Sequence, residues 1–152
     1  MAMTTGCGDG FDKMASPTTQ SLKSIWGSGP SDVWAVGKFG TILHFDGAAW
    51  SESPSGASYT LRAVWGSGPN AVWAVGDAGT VLFWNGSTWS KSTIAQGNDL
   101  EDVWGSGPSD VWAVPGNNAK TLYAVMHWDG STWSEVKLGV DALPERIAGS
   151  GP

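Results

Sequence analysis

Asp46 and Asp129 each stand in a string of aromatic residue, Asp, Gly, two small residues and Trp: FDGAAW over Phe45–Trp50 and WDGSTW over Trp128–Trp133. A carboxylate so placed is a candidate for calcium or ligand binding. Asn85 holds the same place in WNGSTW over Trp84–Trp89, and Asp-Gly and Asn-Gly pairs form tight hairpin loops because they tolerate positive φ. A two-residue hairpin turn therefore accounts for all three strings. His44 and His127 stand just before the first and third, but Phe83 stands before the second. Two histidines without a nearby third ligand make no zinc pattern, so both are expected to be structural. No cofactor is expected.

Catalytic patterns are missing as well. There is no G-x-S-x-G elbow, no phosphate-cradling glycine loop followed by Lys and no H-E-x-x-H. Two opposed carboxylates could hydrolyse a glycoside, but Glu52, Glu101, Glu135 and Glu145 are expected on outer strands or on loops between repeats. A non-catalytic binding module is the expected class. The aromatic residues offer the other chemistry: the chain has 11 Trp in 152 residues. An indole face can stack on a sugar ring, and a Trp side chain also buries roughly 150–250 Å² in a core.

The elements that position these residues follow from a repeat, the first thing to seek in such a sequence. WGSGPSDVWAVG over Trp26–Gly37 returns as WGSGPNAVWAVG from Trp65 and WGSGPSDVWAVP from Trp104, a spacing of 39 residues. The next equivalent position is Ala148, 44 residues further, inside AGSGP. Residues 26–64 and 65–103 agree at 19 of 39 positions. Each copy holds four short apolar runs divided by GSGP, G-x-x-G and DG or NG signals, which read as four strands. The second run, Val33-Trp34-Ala35-Val36, is apolar at every position, so it must be covered on both faces. Gly occupies 22 positions and costs a helix ~1 kcal/mol each relative to Ala, which excludes stacked helices.

The expected fold is all-β, a β-propeller of four-stranded blades of about 39–44 residues, with three blades and the first strand of a fourth. It is a partial propeller or one completed by oligomerisation. Residues 1–20 read as a flexible lead and 21–147 as three blades (about 21–60, 61–99 and 100–142), with 143–152 starting a fourth repeat. Trp26, Trp65 and Trp104, Trp34, Trp73 and Trp112, and Trp50, Trp89 and Trp133 fall at equivalent places. These nine are expected to stack between blades.

The string D-V-W-A-V-G-x-x-G-T-I-L-H-x-D-G-x-x-W resembles the repeat of BNR or Asp-box propellers, most of all the photosystem II assembly factor type. It is also similar to tandem WGSGPSDVWAVG repeats of myxobacterial surface proteins. The likeness covers about residues 21–152. An Asp-box likeness also brings sialidases to mind, but their arginine triad cannot be assembled from Arg62 and Arg146 alone. TTGC, ending at Cys7, resembles the end of a bacterial lipobox, without the hydrophobic segment that should precede it. Cys7 is thus a candidate lipid anchor, and the expected location is extracytoplasmic, at a bacterial surface, in the periplasm or secreted.

In a propeller the GSGPSD hairpins and DG turns share one end, while the loops between second and third strands and between blades share the other. The second set varies between copies, and function sits on variable loops of a rigid frame. Candidate ligand contacts there are Lys38, Phe39, Tyr59, Asp77, Asn98, Asn117, Asn118 and Lys120. A glycan is the expected ligand, with lectin-like use of partly exposed tryptophans; a protein partner on an interaction scaffold is the alternative. The net charge of −6 and the scattered basic residues argue against nucleic acid, which needs a basic stripe. No apolar run nears the ~18 residues of a membrane span.

Overall fold

The computed structural model describes residues 15–92, 94, 97–116, 124–139 and 144–149. Its strands fall into three antiparallel sheets, each a four-strand meander in chain order. The first blade holds β1 (Leu22–Gly29), β2 (Asp32–Gly37), β3 (Ile42–Phe45) and β4 (Trp50–Glu52). The second holds β5 (Leu61–Gly68), β6 (Ala71–Gly76), β7 (Thr80–Trp84) and β8 (Trp89–Ser92). The third holds β9 (Leu100–Gly107), β10 (Asp110–Pro115), β11 (Ala124–Trp128) and β12 (Trp133–Lys137).

The β1-type strands run two residues beyond the WG pair. Each carries a bulge in its ladder with the next strand, between Gly27 and Gly29 in the first blade and between Gly66 and Gly68 in the second. The reversal itself is only Pro30-Ser31, with Gly29 opposite Asp32. The Asp-Gly strings are wider than two-residue loops. In the first, Phe45 pairs Trp50 and four residues intervene; only the glycines have positive φ, 96° at Gly47 and Gly86 and 97° at Gly130.

Strand β6 of the middle blade is sandwiched as its sequence requires, while Val33 on β2 and Trp112 on β10 are half-buried. Val72 through Val75 are all buried, and Trp34 and Trp73 are 1% and 2% exposed. What buries them is the neighbouring blade. The first strands β1, β5 and β9 lie side by side, and the indole of one blade rests on a glycine of the next. A Cβ on Gly66 would stand 2.6 Å from the Trp26 ring, and one on Gly105 would stand 2.6 Å from the Trp65 ring. Gly149 lies in the same way under Trp104. The WG pair is therefore one half of each of two interfaces: Trp faces forward and Gly accepts the ring from behind.

Further out, Trp34 packs against Trp84 and Trp89 of the second blade, with ring centroids 5.0 and 5.3 Å away. Trp73 packs against Trp128 and Trp133 of the third at 5.1 and 5.3 Å. Polar contacts tie the inner strands: the Val64 N–H donates to Ser24 Oγ (3.2 Å) and the Ile147 N–H to Asp102 Oδ2 (3.0 Å).

Candidate functional site

Among the described residues, an arrangement with the residue types of a hydrolase lies between β1, β2 and β3. Ser28 donates to Asp32 Oδ2, Trp34 Nε1 donates to Asp32 Oδ1 (3.0 Å), and His44 Nε2 lies 2.7 Å from the same oxygen. His44 stacks on Trp34 with centroids 4.1 Å apart. The third blade repeats the set: Ser106, Trp112 Nε1 (2.9 Å) and His127 Nε2 (2.8 Å) converge on Asp110, and His127 stacks on Trp112 at 4.1 Å. Ser106, then His127, hold the Asp110 carboxyl below the usual carboxylate range.

The order of bonding decides the chemistry. A nucleophile is activated when the imidazole lies between the hydroxyl and the carboxylate; here the carboxylate lies between the other two. The cluster fixes an indole and ties a hairpin to a strand. The second blade has Ala71 and Phe83 at the Asp and His positions, and there the buried Trp73 Nε1 has no hydrogen-bond partner. The histidines thus have the structural role expected of them.

The Asp-Gly loops are also occupied internally. Asp46 Oδ1 accepts the N–H groups of Ala48 and Ala49, both at 2.9 Å. Asn85 Oδ1 accepts those of Ser87 and Thr88 at 3.0 and 2.9 Å, and Asp129 Oδ1 accepts those of Ser131 and Thr132 at 2.8 Å. The Thr132 N–H, then the Ser131 N–H and hydroxyl, lower the Asp129 pKa from 3.8 to about 2. A carboxyl lowered on folding stabilises the fold above its ordinary pKa and loses that contribution as pH falls through the lowered value. Asp129→Asn, a residue the second blade already accommodates, is expected to lower stability slightly at pH 7, where the ionised carboxylate contributes. It should also flatten the loss of stability between pH 4 and pH 2, followed by urea unfolding at each pH.

The variable end carries a different site. Arg62 on β5 bonds Asp77, on the turn after β6, and places Nη1 2.9 Å from Glu101 on β9 of the next blade. Its Nη2 lies 4.0 Å from Asp99. Bonding to Asp77, reinforced by the charges of Glu101 and Asp77, raises the Arg62 pKa further. Around this knot lie two adjoining hollows that share Arg62, Glu101 and Arg146. One, of about 470 Å³, adds Asp99, Glu145, Pro115 and Gly116; the other, of about 280 Å³, adds Lys23, Lys38 and Thr60. Four of the chain's 8 basic residues therefore line one hollow of a protein whose net charge is −6. Only Arg62 of the four is held in an ion pair among the described residues.

The sequence-predicted contacts divide accordingly. Lys38 lines the basic hollow, and Asp77 belongs to the ion knot beside it. Phe39 is 70% exposed at φ 56°, above a separate shallow hollow with Glu52 and Pro54. Tyr59, 55% exposed, borders another with Lys91, and Asn98 a third beneath β9. Asn117, Asn118, Lys120 and Cys7 lie outside the described residues. Glu52 and Glu135 are on the outer strands β4 and β12 as expected, but Glu101 is on the inner strand β9, at the groove. Lys23, Arg62, Glu101 and Arg146 went unrecognised in the sequence. The available signal was the position three before the repeat Trp, which is Lys23, Arg62 and then Glu101: charged each time.

No protein-family model matches the chain, and no curated protein does. Solved structures do. YCF48 bound to D1 peptide superposes with a TM-score of 0.65 at 20% identity over 78% of this chain. YCF48 from Cyanidioschyzon merolae gives 0.66 at 22% identity over 80%. The fold is that of a β-propeller. The resemblance read from the repeats holds at the level of fold, and this propeller chain spans 41% of the length of either YCF48 chain. None of the 11 tryptophans is among the exposed residues, but Trp50 and Trp112, expected to stack between blades, are half-buried and make ring contacts only within their own blades, with Phe45 and His127.

Proposed function

We propose that this propeller is a non-catalytic protein-binding module that takes an acidic segment of a partner protein across the end carrying Lys23, Lys38, Arg62 and Arg146. The observation that carries the reading is the gathering of these four cations in one hollow, whose lining holds the single carboxylate Glu101 while Asp77, Asp99 and Glu145 stand on its border. Arg62 is engaged with Asp77 and Glu101, which leaves Lys23, Lys38 and Arg146 to meet a ligand's carboxylates. The protein-scaffold reading is favoured over the lectin because a solved structure of similar fold, YCF48, holds a peptide. An extracytoplasmic location stays part of the proposal, resting on the TTGC string ending at Cys7.

Titration of a fluorescent Asp/Glu-rich decapeptide tests the reading by polarisation. Saturable binding that weakens with salt is expected, and a neutral scramble should not bind. Lys23→Glu with Lys38→Glu should weaken binding about tenfold, since each exposed ion pair contributes up to ~1 kcal/mol. Equal affinity of the double variant, or response only to members of a glycan array, would overturn it.

A further inference from the structure

Two turns of the molecule share one shape and differ in chemistry. Lys38–Gly40 follows β2 and Asp77–Gly79 follows β6, and their middle residues Phe39 and Ala78 have φ of 56° and 54°. Left-handed backbone is costly for any residue that carries a Cβ, so each turn is held by its surroundings. In the first, the Lys38 N–H donates to the Ser21 carbonyl (3.0 Å) and the Thr41 N–H to that of Lys38 (3.1 Å), while a Cβ on Gly40 would stand 2.0 Å from the Ala57 carbonyl oxygen. In the second, the Asp77 N–H donates to the Thr60 carbonyl (2.9 Å) and the Ala78 N–H to Asp99 Oδ1 (2.8 Å). Each turn leans on the connection into the following blade, at the variable end.

Alanine suffices for this shape, so the fold does not require a ring at position 39. Phe39 is nevertheless 70% exposed, more than any other large apolar residue described. A bulky residue held in a sparsely populated conformation, with its ring in water, points to a role outside folding. Beside the ring is a hollow of about 200 Å³ that also meets Thr41, Ile42 and Pro54 and has Glu52 of the outer strand β4 on its wall. It is a place for one apolar side chain. The neighbouring charges sort with the ring. Lys38 lines the basic hollow and has no ion pair among the described residues, whereas its counterpart Asp77, beside Ala78, is taken up by Arg62. The ring therefore stands where a cation is available to a ligand.

We infer, on the footing that an acidic partner segment lies across this end, that the acidic run of that segment stops at a leucine or aromatic residue packed on Phe39, with its carboxylates against Lys38 and Lys23. The order follows from what flanks the ring. Toward the inner strands lie Lys38 and Lys23, and on the outer side lies Glu52. Carboxylates continuing past the apolar residue would meet Glu52, and like charges repel.

Polarisation titration with extended forms of the Asp/Glu-rich decapeptide tests the inference. The extensions are Gly, Leu, or Leu followed by two Asp, each made at either end in turn. At one end Leu should tighten binding about fivefold over Gly, as for a leucine side chain about half buried, and two Asp beyond the Leu should remove most of that gain. Phe39→Ala, which the turn accepts as Ala78 shows, should abolish the difference between Leu and Gly while leaving the affinity for the Gly form unchanged. Lys23→Glu with Lys38→Glu should weaken both forms. Equal affinity for Leu and Gly at both ends overturns the inference and leaves the acidic-segment reading standing, as does a Leu gain that survives Phe39→Ala or is kept in full with Asp beyond it. Failure of every peptide to bind overturns both.

Discussion

Gly105→Ala is expected to destabilise the fold by ~2–3 kcal/mol, at the upper end of the cost of forcing extra atoms into a packed interior. Gly107→Ala, two residues along the same motif, should stay within about 0.5 kcal/mol, as for an ordinary surface change. The new methyl at Gly105 would stand 2.6 Å from both the Asp110 carbonyl and the Trp65 ring, whereas nothing lies within 4 Å of one at Gly107. The ring can shift only by leaving its place on the third blade; the carbonyl can shift only by breaking the β9–β10 ladder. Urea unfolding of the two variants separates these cases directly. Equal effects would mean that the two glycines of WGSG are kept for backbone freedom and not for the approach of the neighbouring indole. Gly66 and Gly68 form the same pair in the second blade, with Trp26 as the approaching ring.

Trp73→Ala should cost about 4 kcal/mol, within the range for deleting a buried Trp or Phe. The residue is 2% exposed and joins the second blade to Trp128 and Trp133 of the third. The same position offers a gain. Trp73 Nε1 is buried without an acceptor, while its counterparts Trp34 and Trp112 donate to Asp32 and Asp110. Ala71→Asp with Phe83→His installs the missing carboxylate and the imidazole that stacks beside it, and should raise stability by about 1 kcal/mol, the net worth of a satisfied buried hydrogen bond. Denaturation midpoints measure both changes. A double substitution that lowers stability would mean that Phe83, 4.5 Å from Trp73, contributes more through packing than the network restores.

The blades were legible because their signals are local and recur. An apolar run such as Val33–Val36 demands cover on both faces, and the glycine spacing leaves room only for short strands. The turns were less legible: Pro30-Ser31 and the four-residue loop at Asp46 depend on bulges and side-chain bonds that a two-residue motif does not reveal. The groove was the hardest to read. Lys23, Arg62 and Glu101 are 39 residues apart in turn and meet only because β1, β5 and β9 lie side by side. A sequence that looks sparsely and evenly basic therefore conceals a concentrated patch. The partnership between Asp32 and His44, 12 residues apart, was hidden too, and only the coordinated replacement by Ala71 and Phe83 in the second copy could have betrayed it.

The indole-on-glycine junction bears on how such a protein can change its length. Because a repeat carries the ring for its successor and the gap for its predecessor, a duplicated stretch of 39 residues arrives already matched on both flanks, and the excision of one leaves two flanks that still match. Nearest-neighbour architectures tolerate gain and loss of whole units for this reason. A shift of register within a first strand would set a ring against a side chain, whereas the loops absorb other lengths, as the 44-residue step from Trp104 to Ala148 with Gly149 under Trp104 shows. Inheritance of this fold is therefore quantised, with the blade as the smallest step by which it can grow or shrink.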